Sequence, residues 1–74
     1  MKTTATIYYL TGSWGASHRT CKVERIAQAS AAIIAKHPKA QPLMVKLTDG
    51  GQAYETTVLT FDEMIRKVRN WISR

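Results

Sequence analysis

Residues 17–24 read SHRTCKVE, and the fold turns on whether this stretch is a strand or the beginning of a helix. Thr20, Lys22 and Glu24 alternate with Cys21 and Val23, the period of two that a half-buried strand requires. Read as a helix, the same residues would extend the alanine-rich segment that follows back to about Ser17, on a weak apolar stripe. The alternation and the β-branched pair Thr20 and Val23 predict a second strand.

Elements of clearer type lie on both sides. TATIYYLT, residues 4–11, is rich in Thr, Ile and Tyr and reads as a strand. ERIAQASAAIIAKHP, residues 24–38, reads as a helix that ends before Pro38. Ile26, Ala29 and Ile33 share one face of it, with Ala27, Ser30 and Ile34 beside them. In PLMVKLTDGGQAYETTVL, residues 42–59, Leu43, Val45 and Leu47 alternate with Met44, Lys46 and Thr48. TDGGQ then supplies turn residues that tolerate positive φ, which predicts a hairpin. On the return strand Tyr54, Thr56 and Val58 form one face, and Ala53, Glu55, Thr57 and Leu59 form the other.

The last segment, LTFDEMIRKVRNWISR, predicts a helix over 61–73. Thr60 and Glu63 have capping-box spacing, and Leu59 and Met64 have that of a hydrophobic staple. Phe61, Met64, Ile65, Val68, Trp71 and Ile72 form one apolar stripe, and Asp62 and Glu63 stand i, i+4 from Arg66 and Lys67. Acids open this helix and bases close it, as the macrodipole favours. The expected fold is therefore α+β: a four-stranded, mainly antiparallel sheet with two helices on one face, in the order ββαββα. Residues 1–74 form a single small domain, a hairpin followed by a helix in each half.

Composition bounds the function. The hydrophobic fraction of 45% and charged fraction of 22% belong to a chain that folds rather than one that stays disordered. The net charge of +6 permits an acidic protein, a nucleic acid or an anionic surface as partner and selects none of them. Most of the excess is early: Lys2, Arg19, Lys22, Arg25, Lys36 and Lys39 face only Glu24 in residues 1–40. Cys21 is the single cysteine, so no internal disulfide forms, and a reducing cytoplasm is the expected setting. No Cys/His set has zinc spacing, no cofactor fingerprint is present, and no segment has the length or hydropathy of a signal peptide or membrane span. A chain this short gains from association, so a monomer and a homodimer both remain open.

Gly12-Ser13-Trp14-Gly15 has two glycines but neither the lysine of a P-loop nor a serine centred as in a nucleophile elbow. It matches the bare Gly-x-x-Gly with which KH domains clamp nucleotide backbones, although that loop joins two helices and this one follows a strand. Gly15-Ala16-Ser17-His18 resembles the Gly-Ser-His of HicA-type toxins, with an alanine inserted. That resemblance implies a small RNase in which His18 is the general acid or base and Arg19 steadies a phosphate. Those toxins carry a helix ahead of the motif, where this chain has a strand. His37, before Pro38, reads as a helix-end residue, and Cys21 as a small apolar one.

Two features point to binding. Trp14 sits among small residues in a loop, and Tyr8, Trp14, His18 and Arg19 together read as an aromatic and basic partner-binding end. Arg66, Lys67, Arg69 and Arg74, with Asn70, make a basic helix face fit for phosphates or an acidic surface. The function expected is a small non-enzymatic protein that docks on a macromolecular partner, a protein before a nucleic acid. In size and layout the chain is similar to the phage and mobile-element proteins that disable host machinery, the anti-CRISPR proteins among them. The alternatives are a nucleic-acid-binding module using the basic helix face and an RNase toxin using His18.

Overall fold

SHRTCKVE is a strand as far as Lys22. Beyond it Val23, Glu24 and Arg25 close a 3₁₀ turn that leads directly into a helix, so the alternation ends two residues earlier than its pattern suggests. The computed structural model describes residues 3–12 and 15–72. Among these, β1 (Thr3–Leu10), β2 (Ala16–Lys22), α1 (Ile26–Lys36), β3 (Gln41–Asp49), β4 (Gln52–Thr57) and α2 (Phe61–Ile72) follow the expected ββαββα order. All strand pairings are antiparallel, and the sheet order is β2-β1-β3-β4. The α+β reading is therefore correct.

The topology follows from β1, which pairs on both sides. Because β2 and β3 are each antiparallel to β1, they run parallel to one another with β1 between them. A chain leaving β2 must cross the sheet to begin β3, and α1 makes that crossing. Ala5, Ile7 and Tyr9 of β1 and Val45 and Leu47 of β3 are buried on the covered face. They form one core with Val23, with Ile26, Ala29 and Ile33 of α1, and with Met64 and Val68 of α2. Ser30 is also buried in α1, where its hydroxyl donates to the Ile26 carbonyl at 2.8 Å. The α1 C-terminus is closed by the His37 amide, which donates to the Ile33 carbonyl at 2.7 Å one residue before Pro38.

The second hairpin turns in two residues. Gly50 and Gly51 both have positive φ, 55° and 94°, between the paired residues Asp49 and Gln52. Two successive positive φ values match the twist of the flanking strands, and glycine reaches them without a Cβ clash.

Two local expectations fail. Leu43 was expected beside Val45 and Leu47 on the buried face, yet it is 42% exposed. A β-bulge between Tyr8 and Tyr9 is the reason. Tyr8 pairs with Met44 and Tyr9 with Pro42, so Leu43 is an extra residue and Pro42 takes the inward position. The Leu43 carbonyl instead accepts the Val58 amide at 3.1 Å where the chain leaves β4. The hydrophobic staple is also absent. Met64 is wholly buried while Leu59 is 84% exposed, because Val58 fills the inward position ahead of α2. The capping box forms by half. The Glu63 amide donates to Thr60 Oγ1 at 3.0 Å, but the Glu63 carboxylate turns along the helix to Lys67 Nζ at 3.1 Å.

Candidate binding surfaces

Both helices cover the same face of the sheet, so among the described residues the opposite face is bare of helix. The register places its side chains in rows. His18, Tyr8, Met44 and Thr57 form one row across all four strands, and Thr20, Thr6, Lys46 and Glu55 form the next. Thr4, Thr48 and Ala53 form a third, with Lys22 paired to Thr4 at the end of the edge strand β2. In the first row the rings of Tyr8 and His18 lie 5.9 Å apart, centre to centre, and tilted by 37°. His18 is exposed, and Tyr8 and Met44 are half-buried. In the second, the hydroxyls of Thr6 and Thr20 are 3.1 Å apart and hydrogen-bonded. The face is thus an apolar and aromatic row bordered by threonines and by charges of both signs.

Arg19 lies on the other side. It pairs with Ile7, whose side chain is buried beneath the helices, and so projects toward α1. There it lines a cleft of about 340 Å³ between β2 and the start of α1, together with Lys22, Arg25 and Gln28. Cys21 and Ala29 belong to the same wall. Burial pushes the Cys21 thiol above its ordinary range, and the Arg19 guanidinium pulls it part of the way back.

Of the expected aromatic and basic end, Tyr8 and His18 are therefore brought together, whereas Arg19 is on the opposite face. Trp14 lies outside the described residues. The separation of His18 and Arg19 bears equally on the toxin resemblance, which needs both at one phosphate. Neighbours in a strand point to opposite faces, so one substrate atom cannot meet both from the same side. The ring beside His18 is that of Tyr8.

The basic helix face also divides. Lys67 leans toward β4, where it is held by Glu63, by the Thr57 carbonyl at 3.1 Å and by Thr56 Oγ1 at 3.4 Å. Arg66 and Arg69 lie on the other flank of α2. They line a groove of about 450 Å³ with Asp62, Ile65, Asn70 and Ala27 of α1. Arg74 lies outside the described residues. On the β4 side Tyr54 stacks on Trp71, with ring centres 6.2 Å apart and an interplanar angle of 18°.

Sequence reasoning missed Lys22 and Arg25 as partners of Arg19. The signal was present, a cation at every third position through Arg19, Lys22 and Arg25. It becomes readable only when the chain is known to pass from strand to helix within that interval.

Among the described residues no helix is long and apolar enough to cross a membrane, and no group of three His, Cys, Asp or Glu is placed to hold a metal ion. Comparison with known protein families, curated proteins and solved structures finds no match for this chain.

Proposed function

We propose that this chain is a non-enzymatic docking protein, and that its partner is another protein seated on the uncovered sheet face at the His18–Tyr8–Met44 row. One observation carries the reading: a four-stranded face that no described element covers, with a paired Tyr and His beside a Met at one end. Aromatic residues and Met are enriched in protein interfaces, and a polar border around an apolar centre is their usual anatomy. The charges on this face, Lys46 and Glu55, are of opposite sign, which suits a protein surface better than a continuous phosphate backbone. A protein of this size acts by covering a site on its target. Inhibition of host machinery by a phage or mobile-element protein, the role of the anti-CRISPR proteins, is one form such an activity takes.

A photo-crosslinking residue tests this in cells of the native host. Placed at position 18, it is expected to give discrete protein adducts, while the same residue at exposed position 31 on α1 gives none of them. Identical adducts from both positions, or none from position 18, would move the interface off the sheet.

Nucleic-acid binding is the second reading, supported by Arg66 and Arg69 in the groove between α1 and α2. It requires retention of mixed-sequence DNA or RNA at low salt, with affinity that falls steeply as salt is added. No retention at low salt would remove it.

A further inference from the structure

We propose that the cleft between β2 and the start of α1 is a binding site for a multiply charged phosphate group, a phosphomonoester or a diphosphate, held by Arg19, Lys22 and Arg25. The site lies across the sheet from the His18–Tyr8–Met44 row and is independent of the docking reading.

The convergence of the three cations is a consequence of the local path. Arg19 projects from β2 toward the helices, Lys22 ends the strand, and Arg25 closes the 3₁₀ turn at the threshold of α1. Arg19 and Lys22 stand on the edge strand β2, Lys22 as its last residue, and the turn that follows brings Arg25 to the same cleft. Their charges have no local counterweight. Among the described residues none of the three has a carboxylate within 4.0 Å, whereas Lys67 has Glu63 at 3.1 Å. Glu24, the one acid between Ala16 and Lys36, is exposed on the 3₁₀ turn and does not line the cleft. Three like charges lining one cleft repel one another, and a bound anion offsets that repulsion by its attraction to each of them.

The donor chemistry selects the anion. Two guanidinium groups present planar forks that match phosphate oxygens in pairs, and Lys22 adds a compact point charge. Gln28 contributes an amide donor to the same lining. Three positive charges are matched by a dianion or trianion rather than by the single charge of a phosphodiester. At about 340 Å³ and open to solvent, the cleft has room for such a group while the body of a larger ligand extends outward.

Titration calorimetry on the full chain at low ionic strength tests the site. Inorganic pyrophosphate and a nucleoside diphosphate serve as separate arms, with sulfate at matched ionic strength as the control. Both phosphates are expected to bind more tightly than sulfate. A nucleoside diphosphate tighter than pyrophosphate identifies a ligand whose body is also held, and equal affinity identifies a site for the phosphates alone. Arg25→Gln is expected to weaken both arms about tenfold or more, while Lys39→Gln, at an exposed cation outside both grooves, leaves them within about twofold. Cys21 supplies a second readout that does not depend on heat: pyrophosphate should slow its alkylation by iodoacetamide in the parent protein and not in Arg25→Gln. Circular dichroism of both variants confirms that the fold is kept. Absence of binding in both arms, or equal loss in Arg25→Gln and Lys39→Gln, overturns the site. Tyr8→Ala should leave phosphate binding unchanged, so failure of the docking reading and failure of this one are separable.

Discussion

The two halves of the chain repeat one plan, a hairpin followed by a helix, and finish it differently. In the second half several polar groups are satisfied locally, although Asp49 Oδ1 is buried without a hydrogen-bond partner among the described residues. Gly50 and Gly51 turn the hairpin, Thr60 caps α2, and Lys67 is held by Glu63, Thr56 and Thr57. In the first half the cations of β2 and of the turn into α1 have no carboxylate partner among the described residues. β2 is an edge strand with an exposed surface, and α1 begins at Ile26, behind an Arg25 that supplies no side-chain cap, with no acid in its first turn. Arg19, Lys22 and Arg25 meet in a cleft without a carboxylate partner among the described residues. The same architecture thus yields one half in which Lys67 and Glu63 serve the fold and one in which Arg19, Lys22 and Arg25 line an open cleft. That asymmetry is the strongest structural argument for placing binding in the first half.

The largest test asks whether the halves are one cooperative unit. Ile33 of α1 and Met64 of α2 are both buried in the shared core. Ile33→Ala and Met64→Ala are each expected to cost about 2–5 kcal/mol. For a domain of this length that is a large share of a total stability of roughly 4–11 kcal/mol. Urea unfolding followed by tryptophan fluorescence and by circular dichroism should give one coincident transition in each variant. Two separated transitions would show that the halves unfold independently and would break the comparison.

Smaller effects should divide the halves. Gly51→Ala places a side chain at a φ of 94° and is expected to cost about 1–2 kcal/mol by the same unfolding measurement. Thr60→Ala removes the α2 cap and should cost about 1 kcal/mol. Arg25→Gln, at the corresponding boundary of α1, removes no hydrogen bond or ion pair seen among the described residues. Its effect should stay within about 0.5 kcal/mol. A cost near that of Thr60→Ala would assign Arg25 a structural task and weaken the claim that the first half keeps its cations for a ligand.

The same asymmetry explains what could be read from sequence. The α2 boundaries, the Gly-Gly turn and the end of α1 before Pro38 were legible because each is written in adjacent residues. The strand at 17–22 was legible because its alternation survives to Lys22. The bulge was not, since Leu43 belongs to an unbroken alternating run and only the pairing with β1 shows it to be the extra residue. The staple failed for a related reason. Leu59 and Met64 have the right spacing, but Val58 takes the inward position first. For the candidate site, Tyr8 and His18 were named correctly as neighbours, yet Arg19 was grouped with them by proximity in sequence. Strand geometry sends residues 18 and 19 to opposite faces, so adjacency in the chain separated the residues it was taken to join.

That separation can be read through the thiol of Cys21, where the expected effect is smallest. Burial raises its pKa and the Arg19 guanidinium lowers it, with burial the larger cause. The rate of alkylation against pH should therefore have its midpoint above that of the same cysteine in urea. Arg19→Gln should move the midpoint higher still, because it removes the one lowering influence. The sign for stability follows. The folded chain keeps the thiol proton at pH values where the unfolded chain has lost it, so stability is full below the unfolded pKa and declines as pH rises through the folded one. If Arg19→Gln leaves the alkylation midpoint unchanged, the guanidinium does not face the thiol. Arg19 would then belong with His18 after all, and the cleft would lose one of its three cations.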